Sequence, residues 1–234
     1  MIDQRKINGL MVVNKPQGMT SHDVVSVIRK KFNMRRVGHA GTLDPLATGV
    51  LIILLGESTR LFKKFESFDK AYRATLLLGT TTTTADIQGK ILITKPYADV
   101  TEKKVEDILP RFTGETEQVP PMVSAVKVGG ERLYKLARKG IEVERPSRKI
   151  RIDILKIINF VLPEVQISVE CSKGTYIRQL AQDIGEVLGC GACITQIQRT
   201  KVGPFKLDEA VEINDVSEKY IRQWESLDQL VNLQ

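Results

Sequence analysis

One aspartate, Asp44, stands in a stretch built to hold a side chain in a set direction. The segment Gly38-His39-Ala40-Gly41-Thr42-Leu43-Asp44-Pro45-Leu46-Ala47-Thr48-Gly49 places glycines on both sides of it and a proline directly after it. Glycine permits backbone angles that other residues avoid, proline stiffens the chain, and threonine hydroxyls can bond to nearby loop amides. A carboxylate aimed in this way is the kind of group that serves covalent or proton-transfer chemistry. The same Asp-Pro pair can do no more than cap a turn, and composition taken alone favours that plainer reading.

The other reactive residue types form no competing centre. Cys190 and Cys193 make a C-x-x-C pair, but there is no second pair, Cys171 stands alone, and His22 and His39 lie far upstream. A zinc site commonly shows two spaced pairs, so the cysteines read as small buried residues and no metal is expected. An odd number of cysteines also argues against a disulfide framework and suits a reducing compartment.

The string around Asp44 resembles the active-site segment of the TruB family of tRNA pseudouridine synthases. The resemblance continues through Asn14-Lys15-Pro16-Gln17-Gly18-Met19-Thr20-Ser21, Tyr72-Arg73, Ser124-Ala125-Val126-Lys127 and Ser172-Lys173-Gly174-Thr175-Tyr176-Ile177-Arg178, in family order and across nearly all of the 234 residues. It implies a pseudouridine synthase fold and conversion of uridine to pseudouridine at position 55 in the T loop of tRNA. Asp44 would be the nucleophile, Tyr72 would stack on the target base with its phenol near the sugar, and Arg178 would pair with the catalytic carboxylate. His39 would fill the gap left by the flipped nucleotide, Tyr176 and Ile197 would confine the rotating uracil, and Lys15 would help form the pocket wall.

Two departures from the family pattern stand out: Gln198 replaces a usual arginine, and Thr83 replaces a usual acidic residue. Many bacterial relatives continue into a PUA-type RNA-binding domain, which the resemblance leads us to expect is missing from this short form. The chain therefore reads as one catalytic domain over residues 1–234, acting as a monomer on the tRNA T stem-loop. The isomerisation breaks one glycosidic bond and makes another, so its atom balance calls for no cofactor, metal or group donor. Rival readings are a non-catalytic tRNA-binding or folding factor on the same scaffold, against which the intact Asp44, Tyr72 and Arg178 argue, and a synthase acting on another RNA.

Composition agrees with a polyanionic partner. The net charge is +7 with a pI near 9.3, and clusters at Arg29 to Arg36 and Arg132 to Lys139 could supply phosphate contacts. No apolar run approaches the roughly 20 residues of a spanning helix, and the first residues show no apolar signal core, so we expect a cytoplasmic protein and no membrane.

The elements that must position these residues can be read from periodicity. Val50 to Leu55 is a continuous apolar run ended by Gly56, which predicts a strand buried on both faces. Gly9 to Val13 predicts a strand, and Thr20 or Ser21 starts a helix with Val24, Val25, Ile28 and Phe32 inward. Further strands are expected at Tyr72 to Leu78, Ile91 to Thr94, Arg151 to Phe160 and Glu164 to Cys171. Helices are expected at Glu102 to Leu109, Glu131 to Lys139 and from the Ser172 motif to Gly189. The class is α+β with a mixed, largely antiparallel central sheet flanked by helices.

Overall fold

Two strands carry the Asp44 loop on their shoulders: Gly9–Lys15 (β1) and Thr48–Leu55 (β3) pair antiparallel from Gly9↔Leu55 to Lys15↔Gly49. The computed structural model describes residues 7–124 and 126–223. The remaining elements, in chain order, are α1 (Ser21–Phe32), β2 (Val37–Ala40), α2 (Phe62–Glu66), β4 (Lys70–Leu78), β5 (Thr80–Thr82), β6 (Ile91–Thr94) and α3 (Glu102–Ile108). They continue as β7 (Gly114–Gln118), β8 (Lys127–Val128), β9 (Glu131–Arg132), α4 (Leu133–Arg138), β10 (Arg148–Val161), β11 (Glu164–Cys171), α5 (Ile177–Val187), β12 (Ala192–Val202), β13 (Phe205–Lys206) and β14 (Val211–Glu212). The described residues divide into two compact units, one running to Tyr72 and resuming at Ile197, the other Arg73–Gln196.

In the first unit the strand order is β14-β1-β3-β12, with β2 against β3 and β13 against β12. β3 is antiparallel to β1 and β2 but parallel to β12, and β14 is parallel to β1. From Gly49 to Leu55 every residue of β3 is buried, because both of its faces are covered by apolar side chains. Met11, Val13, Leu51, Ile53 and Leu55 pack with Val24, Val25 and Ile28 of α1, while Val12, Ile52 and Leu54 pack with Phe65, Phe68 and Phe205. Each such side chain contributes about 1.5–3 kcal/mol of apolar burial. α1 starts where expected: the Thr20 side chain accepts from the Asp23 N–H at 3.1 Å while Asp23 accepts from the Thr20 N–H at 2.8 Å. That reciprocal cap satisfies two N-terminal donors.

In the second unit β11 lies between β4 and β10, and β7 pairs the far edge of β10. β10 and β11 form the expected hairpin, antiparallel from Ile152↔Cys171 to Val161↔Glu164. Val165, Ile167, Val169 and Cys171 are all buried, as their period of two requires. Helix α5 buries Ile177, Leu180, Ala181 and Ile184. β10 runs antiparallel to β11 and β7, β5 to β6, and β8 to β9, so the expected mixed, largely antiparallel sheet of an α+β protein is present.

Three local expectations are corrected. Glu131 to Lys139 is not helical from its start: Glu131–Arg132 is β9, paired with β8, and the helix begins at Leu133. Gly129 and Gly130, at φ 58° and 87°, make the two-residue turn that this hairpin needs, and pairing there overrides the helical pattern. Val187, which helical spacing from Ile177, Leu180 and Ile184 predicts to be inward, is exposed; it is the last residue of α5. Gly38 has no left-handed backbone; it is an ordinary residue of β2. Ala125 of the Ser124 motif and the tail from Trp224 onward lie outside the described residues.

Candidate active site

The Asp44 loop is tied down at three points, all inside the first unit. Ala47 donates its N–H to the carbonyl of Asp44 at 3.1 Å, and the N–H of Gly18 donates to the carbonyl of Pro45 at 2.8 Å. The hydroxyl of Ser21 accepts from the N–H of Leu43 at 2.8 Å and donates to the same residue's carbonyl at 3.2 Å. Leu43, Leu46 and Ala47 are buried, while Asp44 is half-buried. The apolar residues thus anchor the loop, and Asp44 keeps part of its surface exposed.

Two buried cations flank that carboxylate electrostatically. Lys15, at the end of β1, is fully buried and donates to the carbonyls of Pro16 at 2.9 Å and Met19 at 2.6 Å. Burial pushes its ammonium down to about 8, with Arg199 acting in the same sense and the charges of Asp44 and Asp23 opposing. Arg199, on β12, is 1% exposed. Its Nε donates to the carbonyl of Val50 at 2.7 Å and its Nη2 to that of Gly41 at 2.9 Å. Burial lowers its pKa from the usual arginine range, and a hydrogen bond and charge interaction with Tyr72, together with the charge of Asp44, oppose the shift.

Tyr72 is 8% exposed near the start of β4, so its phenol belongs to the same buried electrostatic group as Arg199. His39 lies on β2 opposite Ile53. Its Nδ1 is buried without a hydrogen-bond partner, and burial, then Arg199 and His22, lower its pKa below the usual histidine value. Its ring is therefore biased toward the neutral form. Ile197 packs against the core cluster that includes Leu43 and Ala47.

Tyr176 and Arg178 belong to the second unit. Tyr176 is the N-cap residue of α5 and has no side-chain cap. Its backbone is held by Gln118, which accepts from the Tyr176 N–H at 2.8 Å and donates to its carbonyl at 3.1 Å. Arg178, 4% exposed, donates to the carbonyls of Thr84 at 2.7 Å and Val123 at 2.8 Å, and its Nε lies 3.8 Å from the Asp86 carboxylate. A cation in the first turn of a helix opposes the helix dipole, so a buried arginine there needs a carboxylate close by. Asp86 is itself fixed by the Thr84 hydroxyl at 2.6 Å and the Gln88 N–H at 3.0 Å.

Ser21, Asp86, Gln118 and Arg199 are residues whose parts the sequence did not reveal. Ser21 falls inside a motif string, Arg199 directly follows the departure at Gln198 and Asp86 stands three residues after the departure at Thr83, so their positions were visible. Their partners were not, because each lies far away along the chain. Among the described residues no group of three or more His, Cys, Asp or Glu could hold a metal ion, and no helix is long and apolar enough to cross a membrane.

Comparison with known proteins bears on this geometry. Residues 29–177 match the family model described as TruB family pseudouridylate synthase (N terminal domain), and residues 178–232 match the tRNA pseudouridylate synthase B C-terminal domain. The chain is 47% identical over 218 residues to tRNA pseudouridine synthase B of Clostridium tetani, covering 93% of this chain and 75% of that one. It is 45% identical over 217 residues to the protein of the same name from Opitutus terrae, covering 92% and 90%. Among solved structures it is similar to the chain matched in the crystal structure of a Cbf5-Nop10-Gar1 complex, with a TM-score of 0.70 and 32% identity over 88% of this chain. It spans 53% of that chain, about half its length.

Proposed function

The chain belongs to the TruB family of pseudouridylate synthases, and from that premise we propose that it isomerises the T-loop uridine of tRNA at position 55, with Asp44 as nucleophile. The observation that carries this reading is the triply tied loop that holds half-buried Asp44 in electrostatic contact with buried Lys15 and Arg199, the latter bonded to Tyr72. A carboxylate held in a tied loop beside two buried cations is a group placed to act as a nucleophile.

In the proposed reaction the uridine leaves its stack, and the pocket and the gap-filling His39 offset an extrusion cost of a few kcal/mol. Asp44 attacks, the bond from N1 to C1′ breaks, the uracil turns, C5 bonds to C1′ and the bond to Asp44 breaks, which frees the carboxylate. C5 then releases its proton and N1 gains one, so substrate and product have the same formula and no electron acceptor is consumed. Tyr72 is assigned to the proton on sugar or base, and Ile197 and Tyr176 to holding the free uracil. Arg178 is assigned to orienting the catalytic carboxylate. The names of the relatives support tRNA as the substrate.

The experiment is release of label from C5 of uridine in a tRNA transcript, with chelator present. Stoichiometric release from wild-type transcript, and none when uridine 55 is replaced by cytidine, is the expected result. Release from the substituted transcript would point to another site, and no release by folded enzyme would overturn the proposal.

A further inference from the structure

The glycines of the Asp44 motif have a second purpose that centres on Arg199. β12 runs parallel to β3 with Arg199 opposite Gly49. A Cβ on Gly49, where φ is +100°, would stand 2.2 Å from the carbonyl oxygen of Arg199. A Cβ on Gly41, at φ +76°, would stand 3.4 Å from its Nη1. The motif is therefore shaped around this arginine: Gly49 lets its backbone approach, and the left-handed Gly41 carries the carbonyl that accepts from its guanidinium.

We infer that Arg199 is a positioning residue for the reaction, holding the Tyr72 phenol in register with the Asp44 loop. Its planar fork donates to Gly41 before Asp44 and to Val50 after it, and its side chain is hydrogen-bonded to Tyr72. One rigid group thus joins both ends of the nucleophile's loop to the phenol. Lysine could not repeat this, because an ammonium on a flexible stem has no fixed fork. Misplacing a reacting group by about 1 Å can cost on the order of a hundredfold in rate, so such a joint has a kinetic consequence.

The inference rests on the proposed chemical role of Tyr72, and the experiment separates the two. Single-turnover rate at saturating tRNA, tRNA binding and thermal unfolding are measured on Arg199→Lys, Tyr72→Phe and the double variant. Arg199→Lys is expected to slow turnover by about a hundredfold, with binding held within about tenfold. In the Tyr72→Phe background the same substitution is expected to cost less than about tenfold, because the phenol it positions is gone.

Equal losses in both backgrounds, or a wild-type rate for Arg199→Lys, overturn the inference while leaving the Tyr72 reading intact. A wild-type rate for Tyr72→Phe overturns both. Should Arg199→Lys not fold, Gly41→Ala strains the left-handed backbone whose carbonyl accepts from Nη2 without removing the guanidinium, and it replaces Arg199→Lys in the same cycle. The same non-additivity with Tyr72→Phe is expected, and additivity is again the overturning result.

Discussion

Ser21 and Leu43, 22 positions apart, share one hydroxyl that both accepts from the leucine N–H and donates to its carbonyl. The first turn of α1 thereby fixes the backbone directly before Asp44. Ser21→Ala should leave two buried backbone groups unpaired and cost about 1–3 kcal/mol of stability. Turnover should fall more than tRNA binding, because the loop carries the nucleophile. Denaturant unfolding and single-turnover rates check this, and an unchanged rate would show that the loop does not need this tie.

Asp44→Asn keeps the size of the side chain and removes its charge. Turnover should be abolished while tRNA binding stays within about tenfold, roughly 1.4 kcal/mol. Circular dichroism confirms folding on the same preparation. Substantial single-turnover activity in this variant would end the nucleophile assignment.

Lys15 predicts a pH effect with a definite sign. Its ammonium titrates near 8 in the folded protein against an ordinary 10.5, so between these values the unfolded chain holds the extra proton. The penalty of burying the charge is therefore complete below about 8 and is relieved as pH rises towards about 10.5. The unfolding free energy of wild type relative to Lys15→Met should move in favour of wild type between pH 7 and pH 9.5. A difference that does not vary with pH would mean that Lys15 titrates normally.

Asp86→Ala should leave the buried guanidinium of Arg178 short of its nearby carboxylate. A loss of about 3–5 kcal/mol is expected for breaking a buried pair from one side. Replacing both, as Asp86→Asn with Arg178→Met, should restore part of that stability without restoring turnover, since Arg178 is assigned to the chemistry. Thermal unfolding and rates on the three proteins decide it, and a fully active double variant would remove Arg178 from the mechanism.

Salt dependence should single out the exposed part of the first basic cluster. Arg29 is tied to the Val37 carbonyl at 2.8 Å and Arg36 to Glu57 and Thr59, whereas Lys30, Lys31 and Arg35 are exposed, Lys31 with its Nζ on the Asn214 carbonyl at 3.1 Å. Alanine at those three positions should reduce the slope of log affinity against log salt by about three. An unchanged slope would mark them as a solvated face.

The local pattern of the chain was enough to locate β1, β3, β10, β11, α1 and α5, because apolar period, capping residues and glycine stops act over a few positions. Asp44 was legible for the same reason: its whole motif is contiguous. Burial of polar groups has no such local signature. Lys15 and Lys30 look alike in the sequence, yet one is sealed at a strand end and the other faces solvent. Gly41 and Gly49 read only as residues free in their backbone angles, and it is the parallel pairing of β3 with β12 that shows Gly49 making room for Arg199, some 150 residues away. The tertiary structure alone decided which charges are enclosed and which carbonyls they reach, since those partners are set by strand order and not by distance along the chain.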